Sequence, residues 1–207
     1  MKLSRSLPET APRTLILIGP HGAGKTTLGR RLASRLGWPR HSEIGELLRR
    51  EALAVDAGAH ALLGQPDFDR AVAAAEHERD KAHRGPRIVE TWHPGNLAYA
   101  ELRSFAVAKE LAQTLLGAAH AANPRVLVQP LLIDRDAARA RRSEPGPDNL
   151  IDFFLRVGQR GIAIARSWGL DVAPAIRTDL VSVEEAVAIV LARLAAHTSY
   201  SFAEVTP

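Results

Sequence analysis

Gly19-Pro20-His21-Gly22-Ala23-Gly24-Lys25-Thr26 fits the phosphate-cradling pattern of a glycine, four residues, then Gly-Lys-Thr. Its flanks suit that pattern. Leu15-Ile16-Leu17-Ile18 ahead of it reads as a buried strand. Thr27 to Leu36 behind it reads as a helix, with Leu28, Leu32 and Leu36 four apart on one face. A loop from strand to helix aims several backbone N–H groups at one anion, and the helix dipole favours negative charge there. Glycines let that backbone approach a phosphate without a Cβ in the way. The pattern assigns phosphate contact to Gly19, His21, Gly22, Ala23, Gly24, Lys25, Thr26 and Thr27. Lys25 would reach the β- and γ-phosphates of a nucleotide, and the Thr26 hydroxyl would hold Mg²⁺.

Outward from the loop, strand-like and helix-like segments alternate. Strand candidates are Thr14–Ile18, a short piece near 40–43, Arg87–Thr91, 125–133 and Val172–Arg177. Pro130 falls inside the fourth and predicts a shortened or bulged strand. Helices are expected over 96–122 and 149–168, and Ser182-Val183-Glu184-Glu185 reads as a capping box opening the last one. The alternation predicts an α/β fold of three layers, a parallel five-stranded sheet flanked by helices, with ligands at the carboxyl ends of the strands. Residues 1–12 read as a flexible leader, 13–197 as one domain with a lid at about 135–150, and 198–207 as a tail.

The chain of 207 residues is 46% hydrophobic and 24% charged, ordinary for a globular protein. No apolar run has the length of a membrane span, and charges interrupt the N-terminus where a signal peptide would need an apolar core. Cysteine is absent, which suits a reducing, cytoplasmic setting. The net charge is +4, and 23 of the 27 basic residues are arginine. They form no dense stripe interleaved with aromatics, so an obligate nucleic-acid partner has no support.

Three further clusters carry chemistry. Arg87-Ile88-Val89-Glu90 is an apolar strand ending in a carboxylate, where an acid would serve Mg²⁺ or a reacting hydroxyl. Trp92 and Tyr99 could flank a planar ring, and His93 titrates in a range suited to proton transfer. In His41-Ser42-Glu43-Ile44-Gly45-Glu46-Leu47-Leu48-Arg49, Glu43 rivals Glu90 as the base, and Arg49 could point back at a bound phosphate. Arg139 and Arg142, three apart, lead into a Pro/Gly-rich loop that could close over transferring phosphates.

With these residues in view, the chain resembles the P-loop nucleotide kinases, nearest the thymidylate and deoxynucleoside kinase branch. Gly19-x-x-Gly22-x-Gly24-Lys25-Thr26 is the form of the loop those kinases use. Glu90-Thr91-Trp92, with Gly95 and Ala98-Tyr99 after it, is similar to the thymidylate kinase stretch Asp-Arg-Tyr followed by Ala-Tyr. Gly45 to Arg49 looks like the adenylate kinase segment whose arginine grips the acceptor phosphate, and Arg139 to Arg142 like the start of the lid. Thr91 stands where that branch carries an arginine, which argues against thymidylate as substrate. The resemblance implies an ATP- and Mg²⁺-dependent kinase acting on a nucleotide or nucleoside-like acceptor. Lys25, Glu90, Glu43, Arg139 and Arg142 would be catalytic, Thr26 and Glu90 at the metal, and Arg49, Trp92, His93 and Tyr99 at the acceptor. A non-nucleotide hydroxyl substrate, or a regulatory nucleotide-binding protein, are the alternatives. Dimers are common in that branch, so a homodimer is one assembly to expect.

Overall fold

A computed structural model describes residues 13–55, 66–83, 85–122, 126–141 and 148–200. The expected leader, most of the expected tail, and residues 142–147 of the expected lid lie outside the described residues.

Strand β1 (Thr14–Ile18) is apolar on both faces because both faces are covered. It lies between β3 (Arg87–Glu90) and β4 (Val126–Leu132), with β2 (Arg40–His41) outside β3 and β5 (Asp171–Val172) outside β4. All these pairs are parallel, in the order β2-β3-β1-β4-β5. Alternate side chains of β1 face opposite layers. Leu15 and Leu17 join Leu28 and Leu32 of α1 (Lys25–Leu36) and Val187 and Val190 of α8 (Val183–Tyr200). Ile16 and Ile18 join Ile162 and Ala165 of α7 (Asp148–Ser167). The three layers follow from that alternation.

Pro130 neither shortens nor bulges β4. Ala173 N–H donates to Val128 O and Thr178 N–H to Leu132 O, so even-numbered residues of β4 face the outer strand. The N–H that Pro130 lacks therefore points at the place where the outer strand is itself interrupted. Pro174 breaks it there, and the expected strand Val172–Arg177 becomes β5 and a separate β6 (Ile176–Arg177) paired further along β4. The Gln129 amide fills the gap by donating to the carbonyls of Pro130 and Pro174.

The helix expected over 96–122 is two helices, α4 (Trp92–Arg103) and α5 (Phe105–Ala122). Ser104 separates them in an extended conformation, a residue type that favours helix ends over interiors. The capping box at α8 is formed: Ser182 N–H donates to Glu185 Oε2 at 2.7 Å, and Glu185 N–H to Ser182 Oγ at 3.2 Å. The backbone of α8 continues through Tyr200, past the expected start of the tail. The remaining helices are α2 (Ile44–Val55), α3 (Pro66–Ala82) and α6 (Arg135–Ala140). Among the described residues no helix is long and apolar enough to cross a membrane.

Helix α7 presses on the loop after β1. A Cβ at Gly158 would stand 2.4 Å from Pro20 N and 2.9 Å from Gly19 C. Gly158→Ala is expected to cost about 1–3 kcal/mol of stability, the range for overpacking a close contact, read as a lowered urea midpoint.

On β2, His41 has its pKa pushed down to about 4 by burial and then by the charges of Arg79, His83 and Arg87. The fold thus favours the neutral ring. The stability this provides is complete above about pH 6.5, the unfolded value, and is lost as pH falls from there through about 4. Urea midpoints stepped over that window should fall further for the native chain than for His41→Gln. The difference should be about 1 kcal/mol, because the ring is only half-buried.

Candidate active site

The turn from β1 to α1 sets the site. Gly24, at φ 81°, ends the loop in a left-handed conformation and starts α1 at Lys25, two residues earlier than the apolar spacing predicts. No side chain caps α1 and no acidic residue occupies its first turn, so its leading N–H groups are open to an anion. Lys25, only 8% exposed, donates to Gly19 O at 2.9 Å and Pro20 O at 3.1 Å. Its ammonium also stands 4.0 Å from Glu43 Oε2.

Strand register brings the two rival carboxylates to this loop and gives them different surroundings. Leu17 pairs with Glu90, and Thr91 N–H donates to Leu17 O at 2.9 Å. Glu90 is buried, and both its oxygens are engaged. Oε2 accepts from the Thr26 hydroxyl at 2.7 Å, and Oε1 is paired with the Arg40 guanidinium. Glu43 accepts from the Thr91 hydroxyl at 2.7 Å. Thr91 and Trp92 hold positive φ values of 72° and 56°, costly for side-chain-bearing residues and for β-branched Thr91 above all. They are fixed there by the Thr91 bonds just named and by Trp92 Nε1, which donates to Asp80 at 3.0 Å. The strain aims the Thr91 hydroxyl at Glu43.

A cleft of about 700 Å³ runs from this loop towards the start of α8. His21 to Thr27 line it, together with Glu43, Glu90, Thr178, Val181 and Val183. The His21 ring packs 5.0 Å from that of Phe154. Burial, then the nearby Lys25 charge, lower its pKa and keep it neutral. Gly19 does not line the cleft; it contributes its carbonyl to Lys25.

A second pocket, of only about 10 Å³, adjoins the first at Glu43. Glu43, Arg49, Phe68, Asn96, Tyr99 and Arg103 are among its walls. Burial raises the Tyr99 hydroxyl well above its usual pKa, and the Glu43 charge adds to that. Arg103 lies over the Tyr99 ring at 4.9 Å and donates to Asp69 at 2.6 Å. Burial raises the Asp69 carboxyl, against the opposing pull of Arg103.

Several expected site residues lie elsewhere. Trp92 and His93 are fully buried and line neither pocket; Trp92 Nε1 and His93 Nε2 both engage Asp80 Oδ2 of α3, at 3.0 and 2.9 Å. Their role as ring-flanking or proton-transfer groups at an acceptor is therefore corrected to a core contact holding the start of α4. Arg139 donates to Asp148 at 2.5 Å, tying α6 to α7 outside the cleft. Arg142 lies outside the described residues. Helix α6 ends at Ala140. Among the described residues the arginine lining the cleft is Arg141, which donates to Thr178 O at 2.6 Å, Thr178 Oγ1 at 3.1 Å and Gly22 O at 3.4 Å. Asp69, Asn96 and Arg103 of the second pocket carry no sequence signal, since α3 and α4 meet only in the fold.

A family model described as an AAA domain matches residues 14–160. No curated protein matches the sequence. Among solved structures, a shikimate kinase from Acinetobacter baumannii is 16% identical, with TM-score 0.53 over 90% of this chain and 95% of that one. A gluconokinase from Sinorhizobium meliloti 1021 is 17% identical, with TM-score 0.58 over 96% and 100%. A deoxyadenosine kinase from M. mycoides, solved with dCMP and dCDP, is 12% identical, with TM-score 0.62 over 88% and 99%. At these identities the likeness is one of fold.

Proposed function

The chain belongs to the AAA domain family, and from that premise we propose that it is an ATP-dependent small-molecule kinase whose acceptor is a hydroxyl. The observation that carries the reading is the position of Glu43. It lines both the cleft and the adjoining pocket and lies 4.0 Å from Lys25. The smaller pocket holds only about 10 Å³, so an acceptor would have to open it, and would then present its oxygen to Glu43 at the boundary with the loop.

The donor phosphates would lie on the loop from Gly19 to Thr27, held by the free N–H groups of α1 and by Lys25. Thr26 and Glu90 would hold Mg²⁺. Two hard oxygen donors 2.7 Å apart suit an ion that takes its remaining ligands from water and substrate phosphates. When bound, the ion supplies positive charge against the phosphate oxygens. Glu43 would accept the proton of the acceptor hydroxyl as that oxygen bonds to the γ-phosphorus and the bond from that phosphorus to the β-phosphate oxygen breaks, ADP being the leaving group. Arg141 would close the far side of the cleft over the base of the donor.

The second pocket favours a hydroxyl over a phosphate acceptor. Its arginines, Arg49 and Arg103, are opposed by Glu43 and Asp69, and Arg103 is already paired. A doubly charged phosphate would meet little net positive charge there. Tyr99, Asn96 and Arg49 supply hydrogen bonds for a polar neutral molecule, and Phe68 supplies an apolar face. A nucleoside, a small polyol or a hydroxy acid has that chemistry, once the pocket has opened beyond its present volume of about 10 Å³ to admit it.

The test is a screen of nucleosides, nucleoside monophosphates, sugar alcohols and hydroxy acids with labelled ATP. Label should reach a hydroxyl acceptor and depend on its presence. ATP consumption indifferent to every acceptor would point to a nucleotide-binding regulator, and label reaching only monophosphates would overturn the acceptor class.

A further inference from the structure

Thr91 stands between the end of β3 and the start of α4 and is 4% exposed. Its φ of 72° and ψ of −64° are those of the strained form of the γ-turn. Glycine takes a left-handed φ at least cost, and a β-branched residue is among the most expensive choices. The backbone asks only for an N–H at this position, which donates to Leu17 O at 2.9 Å. The reason for threonine therefore lies in its side chain.

Both arms of that side chain are engaged. The hydroxyl donates to Glu43 Oε2 at 2.7 Å. The methyl fills a notch at Gly95, one turn into α4, where an added Cβ would stand 2.4 Å from Thr91 Cγ2. Helix α7 closes behind the notch: a Cβ at Gly161 would stand 3.3 Å from Gly95 Cα and 3.0 Å from Ile18 Cδ1. Branching at Cβ leaves threonine few χ1 rotamers. With the methyl in the notch, the hydroxyl has one direction, and it is towards Glu43.

The backbone of Glu43 is fixed by other groups. Ser42 O accepts from Arg79 Nη1 at 2.6 Å, and Arg79 is itself paired with the fully buried Glu76. Glu43 O accepts from the Leu47 N–H at 3.2 Å, in the first turn of α2. What these contacts leave free is the set of side-chain torsions of Glu43. The Thr91 hydroxyl acts on those, holding Oε2 at a point 4.0 Å from Lys25 Nζ, beside the loop. A reacting group is held in productive geometry by neighbours whose own rotamers are locked by packing, and Thr91 is such a neighbour.

We propose that Thr91 is a positioning residue for Glu43: seated by its methyl in the notch at Gly95, it holds the carboxylate where the hydroxyl of an acceptor gives up its proton. That role rests on the reading of Glu43 as the base. It assigns the cost of the strained turn to the alignment of that base, and it makes Gly95, which touches neither Glu43 nor the cleft, part of the same device.

The test measures kcat and KM in the full chain with ATP, magnesium and the hydroxyl compound that takes label in the screen above. Thr91→Val keeps the shape and loses the donor. It should lower kcat roughly ten- to a hundredfold, the scale for a slightly misplaced reacting group, and leave KM and the calorimetric affinity for ADP near native. Thr91→Ser keeps the donor and should lose less. Gly95→Ala should drive the Thr91 methyl from its notch and lower kcat. Thr91→Ser in that same chain should restore rate, since serine has no methyl to displace, and this pair decides the question if Thr91→Val does not fold. In a Glu43→Gln chain, Thr91→Val should cost nothing further. An equal loss in both backgrounds would overturn the positioning role while leaving Glu43 as the base. Normal turnover by Glu43→Gln alone would remove the base, and the role of Thr91 with it. Urea unfolding gives a readout that needs no acceptor: Thr91→Val should lower the midpoint of the native chain but not that of Glu43→Ala. The same drop in both would overturn the contact on which the role depends.

Discussion

Lys25→Ala is expected to slow phosphoryl transfer by roughly a thousandfold or more, the scale for losing a charged group that stabilises a transferring phosphoryl. The chain should still fold. Lys25 is buried at the surface of the loop, not in the apolar layers, and its partners are two loop carbonyls and the Glu43 carboxylate. Losing those contacts should cost about 1–2 kcal/mol, a small shift in the thermal transition. The informative comparison is turnover against unfolding in the same preparation. A large loss of turnover with a near-native transition places Lys25 in the chemistry. Near-normal turnover in folded protein would remove the loop from the mechanism, and the kinase reading with it.

What could be read from the sequence, and what could not, divides by distance along the chain. The loop from Gly19 to Thr26 and the capping box at Ser182 are local devices. Each specifies its own hydrogen bonds within a few residues, so pattern alone finds them. The central strands are legible because burial on both faces leaves continuous apolar runs. The interruption at Pro174 was not legible, because its reason lies across the sheet, where Pro130 offers no donor. Trp92 and His93 look like ligand residues beside Glu90 until α3 supplies Asp80 to both. Arg141 stands one residue beyond the end of α6, and its partner Thr178 is far along the chain. No spacing rule connects them. The choice between Glu43 and Glu90 depended likewise on Arg40, a residue of β2 that nothing in the sequence links to the end of β3.

That choice yields the second large effect. Glu43→Gln should lower turnover by roughly 10²–10⁴-fold, the usual contribution of a general base, with ATP affinity nearly unchanged. Glutamine keeps the size of the side chain and an oxygen that can accept from Thr91, so the strained turn at Thr91 and Trp92 keeps its anchor. What it loses is the ability to take a proton. Glu90→Gln should behave differently. Its carboxylate is held by Thr26 and Arg40, so its replacement should raise the magnesium concentration needed for half-maximal rate. Measured side by side, the two variants separate proton transfer from metal support. A phosphate acceptor arrives already ionised and needs no base. If Glu43→Gln costs less than about tenfold while Glu90→Gln is severely impaired, the acceptor oxygen belongs to a phosphate. The balance of charge in the second pocket would then have been misjudged. If Glu43→Gln alone abolishes turnover at saturating magnesium, the acceptor is a hydroxyl and Glu43 is the residue that deprotonates it.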